Sequence, residues 1–310
     1  MLCILLASTF LVGFFFKLAS FPCSMWAPDV YEGATNPITF TLATIAKIGF
    51  FCGFVQLIVI KLCALFSISQ TLLILSIVGS LITGAYGGLR QENIKRFLAF
   101  TSMHHIGFIF SSLICEASIV GIQYSFIYLT VYITGLAGFF SVFLLIHTIY
   151  GNNMTFFTDL IFIVLNAQAT TSFSNVFGLI SLIIYLLSMA GIPPFAGFFG
   201  KYIIFLIMTK KHYITLFAMS LLTSFISIFN YLRVIKIILL TKIDFNIISI
   251  TNKFQLKFIW FFWIDSRGIF LILSYLFLFF QSFFVWFINQ VSSLMYIPLL
   301  LRIILNRDVA

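Results

Sequence analysis

Long apolar segments separated by short polar connections dominate the chain. About eight of them approach or exceed the ~20 residues that a helix needs to cross a hydrocarbon core. They cover residues 2–21, 40–65, 72–89, 97–115, 125–149, 175–208, 213–240 and 268–289. Because backbone groups in lipid must be hydrogen-bonded within their own segment, each is predicted to be a helix. The pattern therefore predicts an all-α integral membrane protein, a polytopic bundle of about eight transmembrane helices.

The two ends of the chain need separate interpretation. The first apolar segment contains Lys17 and lacks a basic N-terminal flank, so it is interpreted as a transmembrane helix and not as a signal peptide. Residues 294–305 are apolar but too short to cross a membrane. We therefore expect a transmembrane helical domain over residues 1–290 and an interfacial C-terminal tail over residues 291–310.

Composition agrees with a membrane protein. Of 310 residues, 62% are hydrophobic and 8% are charged, against roughly 25% charged in soluble domains. The net charge of +9 comes from basic residues in the loops, so lipids are expected partners and nucleic acid is not. The five cysteines are scattered, and no glycine-rich nucleotide loop follows a strand. Neither a metal site nor a cofactor site is predicted in this chain.

Basic loop residues predict the orientation. Because consecutive spans alternate in direction, the loop after the third span and the loop after the seventh lie on one side. That side carries Arg90, Lys95, Arg96, Lys236, Lys242, Lys253, Lys257 and Arg267. The positive-inside rule assigns it to the cytoplasm or the mitochondrial matrix. Lys210 and Lys211 fall on the opposite side and weaken this assignment.

Three lysines stand inside apolar segments, namely Lys17, Lys47 and Lys201. A cation at such depth costs several kcal/mol unless it is hydrated or paired. Burial disfavours the charged form of an amine, which makes proton release feasible, so the three lysines are candidate proton-transfer residues. We predict that Lys17 and Lys47 face the interior on one continuous polar path, because each would otherwise be a charge in hydrocarbon. An alternative for Lys17 is that its ammonium snorkels to the interface from a helix end, as Lys61 is expected to do.

Helix-breaking residues accompany two of these lysines. Pro22 follows Lys17, and Gly191, Pro193 and Pro194 precede Lys201. Proline removes a backbone donor and frees carbonyls that then need another partner. Discontinuous helices of this kind mark ion and substrate sites in transporters, so two discontinuous helices are predicted. A simple kink relieved by neighbouring helices remains the alternative.

Histidines add a further candidate. His104 and His105 stand near the start of the fourth span beside Ser102. An imidazole accepts and releases protons near neutral pH, and His105 is the histidine to which we assign a relay role. His104 and His147 are more typical of interfacial residues.

Four sequence blocks resemble a known family. They are GFFFKLASFP with MWAPDVYEGA within residues 13–34, ATIAKI at 43–48, KRFLAFTS with HIG within 95–107, and AGIPP through GK within 190–201. In order, they resemble the seventh, eighth, tenth and twelfth helices of the antiporter-like subunits of respiratory complex I. The WAPDVYEGA block resembles NADH dehydrogenase (ubiquinone) subunit 2 in particular. The similarity is weakest over residues 150–174 and after about residue 253.

The resemblance implies an antiporter-like fold and a proton path of two half-channels joined by a polar axis. By position, the family's proton-transfer roles fall on Lys17, Lys47, Lys201 and His105. The chain would then be the seventh to fourteenth helices of a subunit of the proton-translocating NADH:ubiquinone reductase. Flavin, iron–sulfur clusters and quinone would be bound by other subunits of that complex, with no redox chemistry in this chain.

The family's earlier helices are missing from this sequence, including one that supplies a glutamate next to the first lysine. The chain's own acidic residues all fall outside predicted span cores: Asp29, Glu32, Glu92, Glu116, Asp159, Asp244, Asp265 and Asp308. We expect a separate N-terminal half to supply a glutamate near Lys17, and the other possibility is that the sequence is a fragment of a longer chain. The start at Met1 favours the separate half.

Two other functions fit the same residues. One is a cation/proton antiporter or membrane-bound hydrogenase subunit, and the other is a structural membrane-arm subunit that no longer pumps. Localisation is predicted from composition: the 42 phenylalanines, together with many isoleucines, are typical of an AT-rich organellar genome. We therefore expect a multi-pass protein of the mitochondrial inner membrane, and the alternative location is a bacterial plasma membrane.

Overall fold

The computed structural model describes residues 2–56, 70–115, 119–150, 156–157, 159 and 173–240. Ten helices lie in these ranges: α1 Leu2–Leu18, α2 Trp26–Gly33, α3 Asn36–Ala43, α4 Ile45–Phe54, α5 Gln70–Gly87, α6 Ile94–Cys115, α7 Ile119–Tyr150, α8 Phe173–Ala190, α9 Ala196–Lys210 and α10 Ile214–Leu240. The strand-type pairing within the same ranges is one isolated bridge between Asn93 and Phe156. The predicted all-α fold is confirmed.

Several helical stretches are long and apolar enough to cross a membrane. In the described ranges they are Asn36–Phe54, Gln70–Gly87, Ile94–Cys115, Val120–Leu144 and Ile214–Leu239, and two shorter apolar stretches are Ser8–Leu18 and Gly178–Ala190. The chain is a multi-pass membrane protein. The helices Gln70–Gly87, Ile94–Cys115, Val120–Leu144 and Ile214–Leu239 match predicted spans to within about five residues, whereas the predicted span over residues 175–208 is divided into α8 and α9. The predicted last span, residues 268–289, and the tail over residues 291–310 lie outside the described residues.

Helix α6 is the centre of the bundle. Every side chain from Thr101 to Cys115 is buried, and α2, α5, α7 and α9 all pack against this helix. The approach of α5 depends on glycine, because a Cβ at Gly84 would lie 2.5 Å from the His104 backbone nitrogen. Such small residues let transmembrane helices pack closely.

Three helices end in the same left-handed turn. The turn residues are Ala19, Gly191 and His212, with φ of 55°, 81° and 60°. The next N–H donates to the carbonyl five residues back in each turn, for example from Ser20 N to Phe15 O at 2.9 Å. This is the Schellman ending, which stops a helix cleanly. Both predicted interruptions are therefore confirmed, one between α1 and α2 around Pro22 and one between α8 and α9 around residues 191–195.

A further interruption was not predicted. Thr44, with φ −115° and ψ −75°, separates α3 from α4. Its side-chain hydroxyl donates to the Phe40 carbonyl at 2.7 Å, a local bond that often bends helices. The sequence predicts one continuous span over residues 40–65, whereas in the structure α4 begins two residues before Lys47.

The C-terminal end of α10 meets the turn between α5 and α6. Asn230 Nδ2 donates to the Ala85 carbonyl at 2.8 Å, and the Arg233 guanidinium donates to the carbonyls of Gly88, Leu89 and Gln91. These contacts place the Lys236 end of α10 beside the turn that holds Arg90. The prediction that the loop with Arg90 and the Lys236 end of α10 lie on the same side of the bundle is confirmed. The other basic residues assigned to that side, Lys242, Lys253, Lys257 and Arg267, lie outside the described residues.

Candidate functional site

Lys47 is buried in the interior of the bundle. Its side chain is on α4 and is 4% exposed, with Nζ 5.7 Å from the centroid of the Tyr132 ring. Nζ has no hydrogen-bond partner among the described residues. The predicted interior position of Lys47 is confirmed, while its role in proton transfer stays a prediction.

His105 is held by tyrosines on both of its ring nitrogens. Nδ1 lies 2.8 Å from the Tyr128 hydroxyl, and Nε2 lies 3.0 Å from the Tyr231 hydroxyl. The Tyr132 ring covers one face of the imidazole at a centroid distance of 4.6 Å. Because a neutral imidazole has one donor nitrogen and one acceptor nitrogen, it donates to one hydroxyl and accepts from the other. Reversing the two bonds moves a proton across the ring.

Lys201 is positioned by the helix break that precedes it. Nζ donates to the Ala190 carbonyl at 2.7 Å, and Ala190 is the last residue of α8. A helix C-terminus has carbonyls without intrahelical partners and a partial negative charge, so it binds a cation. The side chain is 5% exposed, with Nζ 5.6 Å from the Phe108 ring centroid. The interruption between α8 and α9 and the lysine that follows it thus form one site. Pro193 and Pro194 lie exposed in the segment that connects the two helices.

Three of the four predicted proton-transfer residues form a row. Aromatic rings link them: Tyr132 lies beside both Lys47 and His105, and Tyr128 bonds His105 and contacts Phe108, the ring next to Lys201. Over the part of the chain that the structure covers, no Asp or Glu is buried, and no group of His, Cys, Asp and Glu side chains could hold a metal ion. The row therefore consists of basic groups in contact with aromatic rings and hydroxyls.

Lys17 stands apart from this row. It is exposed, and its Nζ lies 5.3 Å from the Phe50 ring centroid. Helix α1 buries Leu11 and Phe15 on one face and leaves Phe16 and Lys17 on the other. The prediction that Lys17 faces the interior is wrong for this chain by itself, because the described part of the chain covers this face of α1 only in part and leaves Lys17 exposed.

An ionic cluster holds α2 against the beginning of α6. Arg96 Nη2 lies 2.6 Å from Asp29 Oδ1, and its Nε lies 2.5 Å from Glu32 Oε2. Asn93 Nδ2 donates to Glu32 Oε1 at 2.9 Å, and Lys95 Nζ donates to the Ala34 carbonyl at 2.6 Å. Lys95 and Arg96, predicted only as loop cations, thus fix the segment that follows the first helix break.

Sequence reasoning missed the tyrosines around His105. Tyr128 and Tyr132 are four residues apart, so they share one face of α7. This spacing was the one sequence signal that could have predicted two tyrosines beside the same group. Tyr231 is 126 residues away from His105 along the chain, and no local pattern connects the two.

A multi-pass bundle with buried lysines beside interrupted helices defines an antiporter-like membrane protein. Residues 1–227 match the family described as NADH:quinone oxidoreductase/Mrp antiporter, transmembrane. The chain belongs to that family.

Curated relatives include proteins named NADH-quinone oxidoreductase subunit N. The one from Pelagibacter ubique is 33% identical over 232 residues, which cover 75% of this chain and 47% of the relative. The one from Hydrogenovibrio crunogenus is 36% identical over 227 residues, which cover 73% of this chain and 45% of the relative. The chain thus spans about half the length of the curated relatives that it matches.

Solved structures share the fold. Respiratory complex I from Thermus thermophilus with bound NADH matches with a TM-score of 0.66 and 18% identity, over 94% of this chain and 58% of that chain. The membrane-bound sulfane sulfur reductase, an archaeal respiratory membrane complex, matches with a TM-score of 0.69 and 18% identity, over 91% of this chain and 54% of that chain. At this identity the similarity supports the antiporter-like fold alone.

Proposed function

We propose that this chain is a proton-translocating membrane-arm subunit of an NADH:quinone oxidoreductase, respiratory complex I. The observation that carries the proposal is the buried row of Lys47, His105 and Lys201, in which both lysines lie next to helix interruptions. The names of the curated relatives support the same enzyme. In this proposal the chain moves protons, while flavin, iron–sulfur clusters and quinone are bound by other subunits.

The row has a chemistry suited to proton transfer. Lys47 and Lys201 each exchange a proton with their surroundings, and His105 passes one between the hydroxyls of Tyr128 and Tyr231. Charges in a water-poor interior repel strongly, so a proton on His105 disfavours a second one on either lysine. Arrival of a proton at one end therefore promotes release at the other.

We propose further that Lys17 completes this path together with a second membrane polypeptide. Its ammonium lies on a face that also exposes Phe10 and Phe16, and a cation on such a face costs several kcal/mol in lipid. A separate N-terminal half that supplies a glutamate removes that cost. The test is the structure of the assembled complex: absence of a carboxylate from another chain within salt-bridge reach, or within one water, of Lys17 contradicts the proposal.

The remaining partners and the location belong to the same proposal. We expect other membrane-arm subunits of complex I and lipids as neighbours, and the mitochondrial inner membrane as the location, from the abundance of phenylalanine. Mass spectrometry of the purified complex, together with cell fractionation, tests both. Recovery of this chain from a bacterial plasma membrane would contradict the location.

The proposal is tested by Lys47→Ala in the assembled complex. The rate of proton pumping should fall by about 100-fold, the lower range of the rate effect of a positioned proton-transfer group. Lys236→Ala, an exposed lysine on α10, is the matched control and should pump normally. Normal pumping by the Lys47 variant would indicate a structural subunit.

A second candidate is a cation/proton antiporter, because the family description includes Mrp antiporters. The Mrp complex from Dietzia shares the fold with a TM-score of 0.65 and 16% identity, over 76% of this chain and 42% of that chain. A cation/proton antiporter exchanges protons for a cation, driven by a gradient of either ion and without NADH. Measuring proton movement with each driving force in turn distinguishes the two functions.

A further inference from the structure

We propose that Tyr132 is a positioning residue whose ring face holds the positive charge of a proton on Lys47 and on His105, where a carboxylate would otherwise be needed. The inference rests on the proposed proton transfer by these two residues and names the group that stabilises their charged forms. It is carried by the position of one aromatic ring against both side chains.

Lys47 has few groups that could stabilise its ammonium. Nζ is buried without a hydrogen-bond partner among the described residues, and no Asp or Glu in those ranges is buried. The small cavity that borders Lys47 is lined by apolar surface, and an apolar cavity stays dry. A charge at this depth is costly unless it is paired or hydrated, so the group that faces Nζ decides how readily a proton can reside there.

The aromatic face of Tyr132 lies beside Nζ. The nitrogen is over the ring, 5.7 Å from its centroid, within the ~6 Å over which the negative face of an aromatic ring attracts a cation. Tyr132 is 3% exposed, so this contact is shielded from water. The attraction is stronger in such a place than at a surface, because water does not screen it.

The same ring also contacts His105. The centroids of the Tyr132 and His105 rings are 4.6 Å apart, and their planes are inclined by 31°, so the imidazole lies against the tyrosine ring. A protonated imidazole is a cation, and the face of an aromatic ring attracts it as it attracts an ammonium. One ring therefore serves two consecutive members of the row, and a proton on either of them lies beside it.

Lys201 offers a comparison within the same molecule. Its Nζ lies 5.6 Å from the Phe108 ring centroid, but it also donates to the Ala190 carbonyl at 2.7 Å. Loss of the ring leaves Lys201 with an acceptor, whereas it leaves Lys47 with none among the described residues. Pumping should therefore depend more on the Tyr132 ring than on the Phe108 ring.

The test changes the charge distribution of the ring and keeps its shape. Tyr132→Phe is the reference variant, because the Tyr132 hydroxyl has no hydrogen-bond partner in the described residues and its removal keeps the ring face. In the assembled complex, position 132 then receives phenylalanine with one, two or three ring fluorines through a reassigned stop codon. Each fluorine withdraws electrons from the ring face and weakens its attraction for a cation. The pumping rate should fall stepwise, by about tenfold with three fluorines.

Removal of the ring is the stronger change. Tyr132→Leu should lower the pumping rate by at least as much as the trifluorinated ring does. Phe108→Leu should lower it by less, because Lys201 keeps its acceptor carbonyl. Native gels must show the same amount of complex for the variants compared, and where a leucine variant does not assemble, the fluorinated series decides because it preserves the packing.

Phe139 provides the matched control on the same helix. It is 1% exposed and stacks on Phe143. The described lysine and arginine side chains that lie over aromatic rings contact other residues. Fluorination of Phe139 thus makes the same chemical change without a cation beside the ring, and it should leave the pumping rate unchanged.

The outcomes separate the role of the ring from the proposed function. Equal pumping by the fluorinated and unfluorinated residues at position 132, alongside lost pumping in Lys47→Ala, overturns the role of the ring and leaves the proposed function standing. Faster pumping by the fluorinated variants, or an equal loss at position 139, also overturns the role of the ring. Retained pumping in Lys47→Ala overturns the proposed function and the role of the ring together.

Discussion

The two predicted helix breaks are similar in backbone geometry and different in what surrounds them. Both begin with a left-handed residue, Ala19 in one and Gly191 in the other. At the second break the lysine is buried and donates to a carbonyl at the end of the preceding helix. At the first break Lys17 is exposed. There Trp26, and not the lysine, donates to a carbonyl near the helix end, from Nε1 to Phe16 O at 2.8 Å.

The difference shows which site is complete within this chain. The Lys201 site has its donor, its acceptor and its aromatic neighbour in the described residues. The Lys17 site has an aromatic neighbour, Phe50, and no hydrogen-bond acceptor for Nζ among the residues that the structure describes. The second break is therefore self-sufficient, in that the described residues supply every partner of its lysine. At the first break the Lys17 ammonium lies exposed on the outer surface of the chain.

The largest effect is expected from closing the space at the second break. A Cβ at Gly197 would overlap the Ser188 carbonyl oxygen, which is backbone and cannot turn away. Gly197→Ala should destabilise the assembled complex by about 1–3 kcal/mol through overpacking. Gly178→Ala is the control, because a Cβ there meets nothing within 4 Å. Thermal unfolding of the complex measures both, and equal midpoints would contradict the prediction.

The next effect separates the two lysines. Lys201→Met leaves the Ala190 carbonyl without its donor, at a cost of about 1–3 kcal/mol for a buried group. Backbone hydrogen exchange around residues 187–192 should accelerate. Lys17→Met should leave this exchange unchanged and instead weaken retention of the second polypeptide. Lys210→Met, at the exposed end of α9, is the control. Equal exchange in the Lys17 and Lys201 variants would contradict the contrast.

A smaller effect is expected at the first break. In the structure the Trp26 ring stacks on Phe16 with the centroids 5.5 Å apart. Trp26→Phe keeps an aromatic ring at this place but removes the indole N–H that donates to the Phe16 carbonyl. The loss should be about 1 kcal/mol, the usual net value of one hydrogen bond. Exchange of the amide protons around residues 18–20 is the measurement. An effect as large as that of Lys201→Met would show that the first break is also self-sufficient.

The smallest effect is expected from the ionic cluster. Arg96→Gln removes both carboxylate contacts, but the side chains are 39% to 71% exposed, so the cost should stay below about 1 kcal/mol. The effect should shrink at high salt because exposed charges are screened. Arg90→Gln, in the neighbouring turn and outside the cluster, is the control. A salt-independent loss would contradict this account.

The sequence predicted those features that leave a local signal. Pro193 and Pro194 cannot continue a helix, so the second break was predictable from residue type. Lys47 was predictable because apolar residues surround it along the chain. Thr44 carries no comparable signal, since threonine is common in continuous membrane helices, and the break before Lys47 was missed.

Features that depend on distant residues were not predictable. The Tyr231 contact to His105 spans 126 residues, and the Arg96 contact to Asp29 spans 67. Lys17 illustrates the opposite error. A charge in an apolar segment was expected to face inwards, yet that rule applies to the complete assembly and not to the single chain.

The end of α10 has a mechanical consequence. Asn230 and Arg233 donate to backbone carbonyls at the end of α5 and in the turn that follows it. Tyr231, between them in sequence, is hydrogen-bonded to His105. Sliding the helix by one turn, about 5.4 Å, would break all of these bonds together. These contacts therefore fix α10 along its own axis, and with it the height in the bundle at which Tyr231 meets the imidazole.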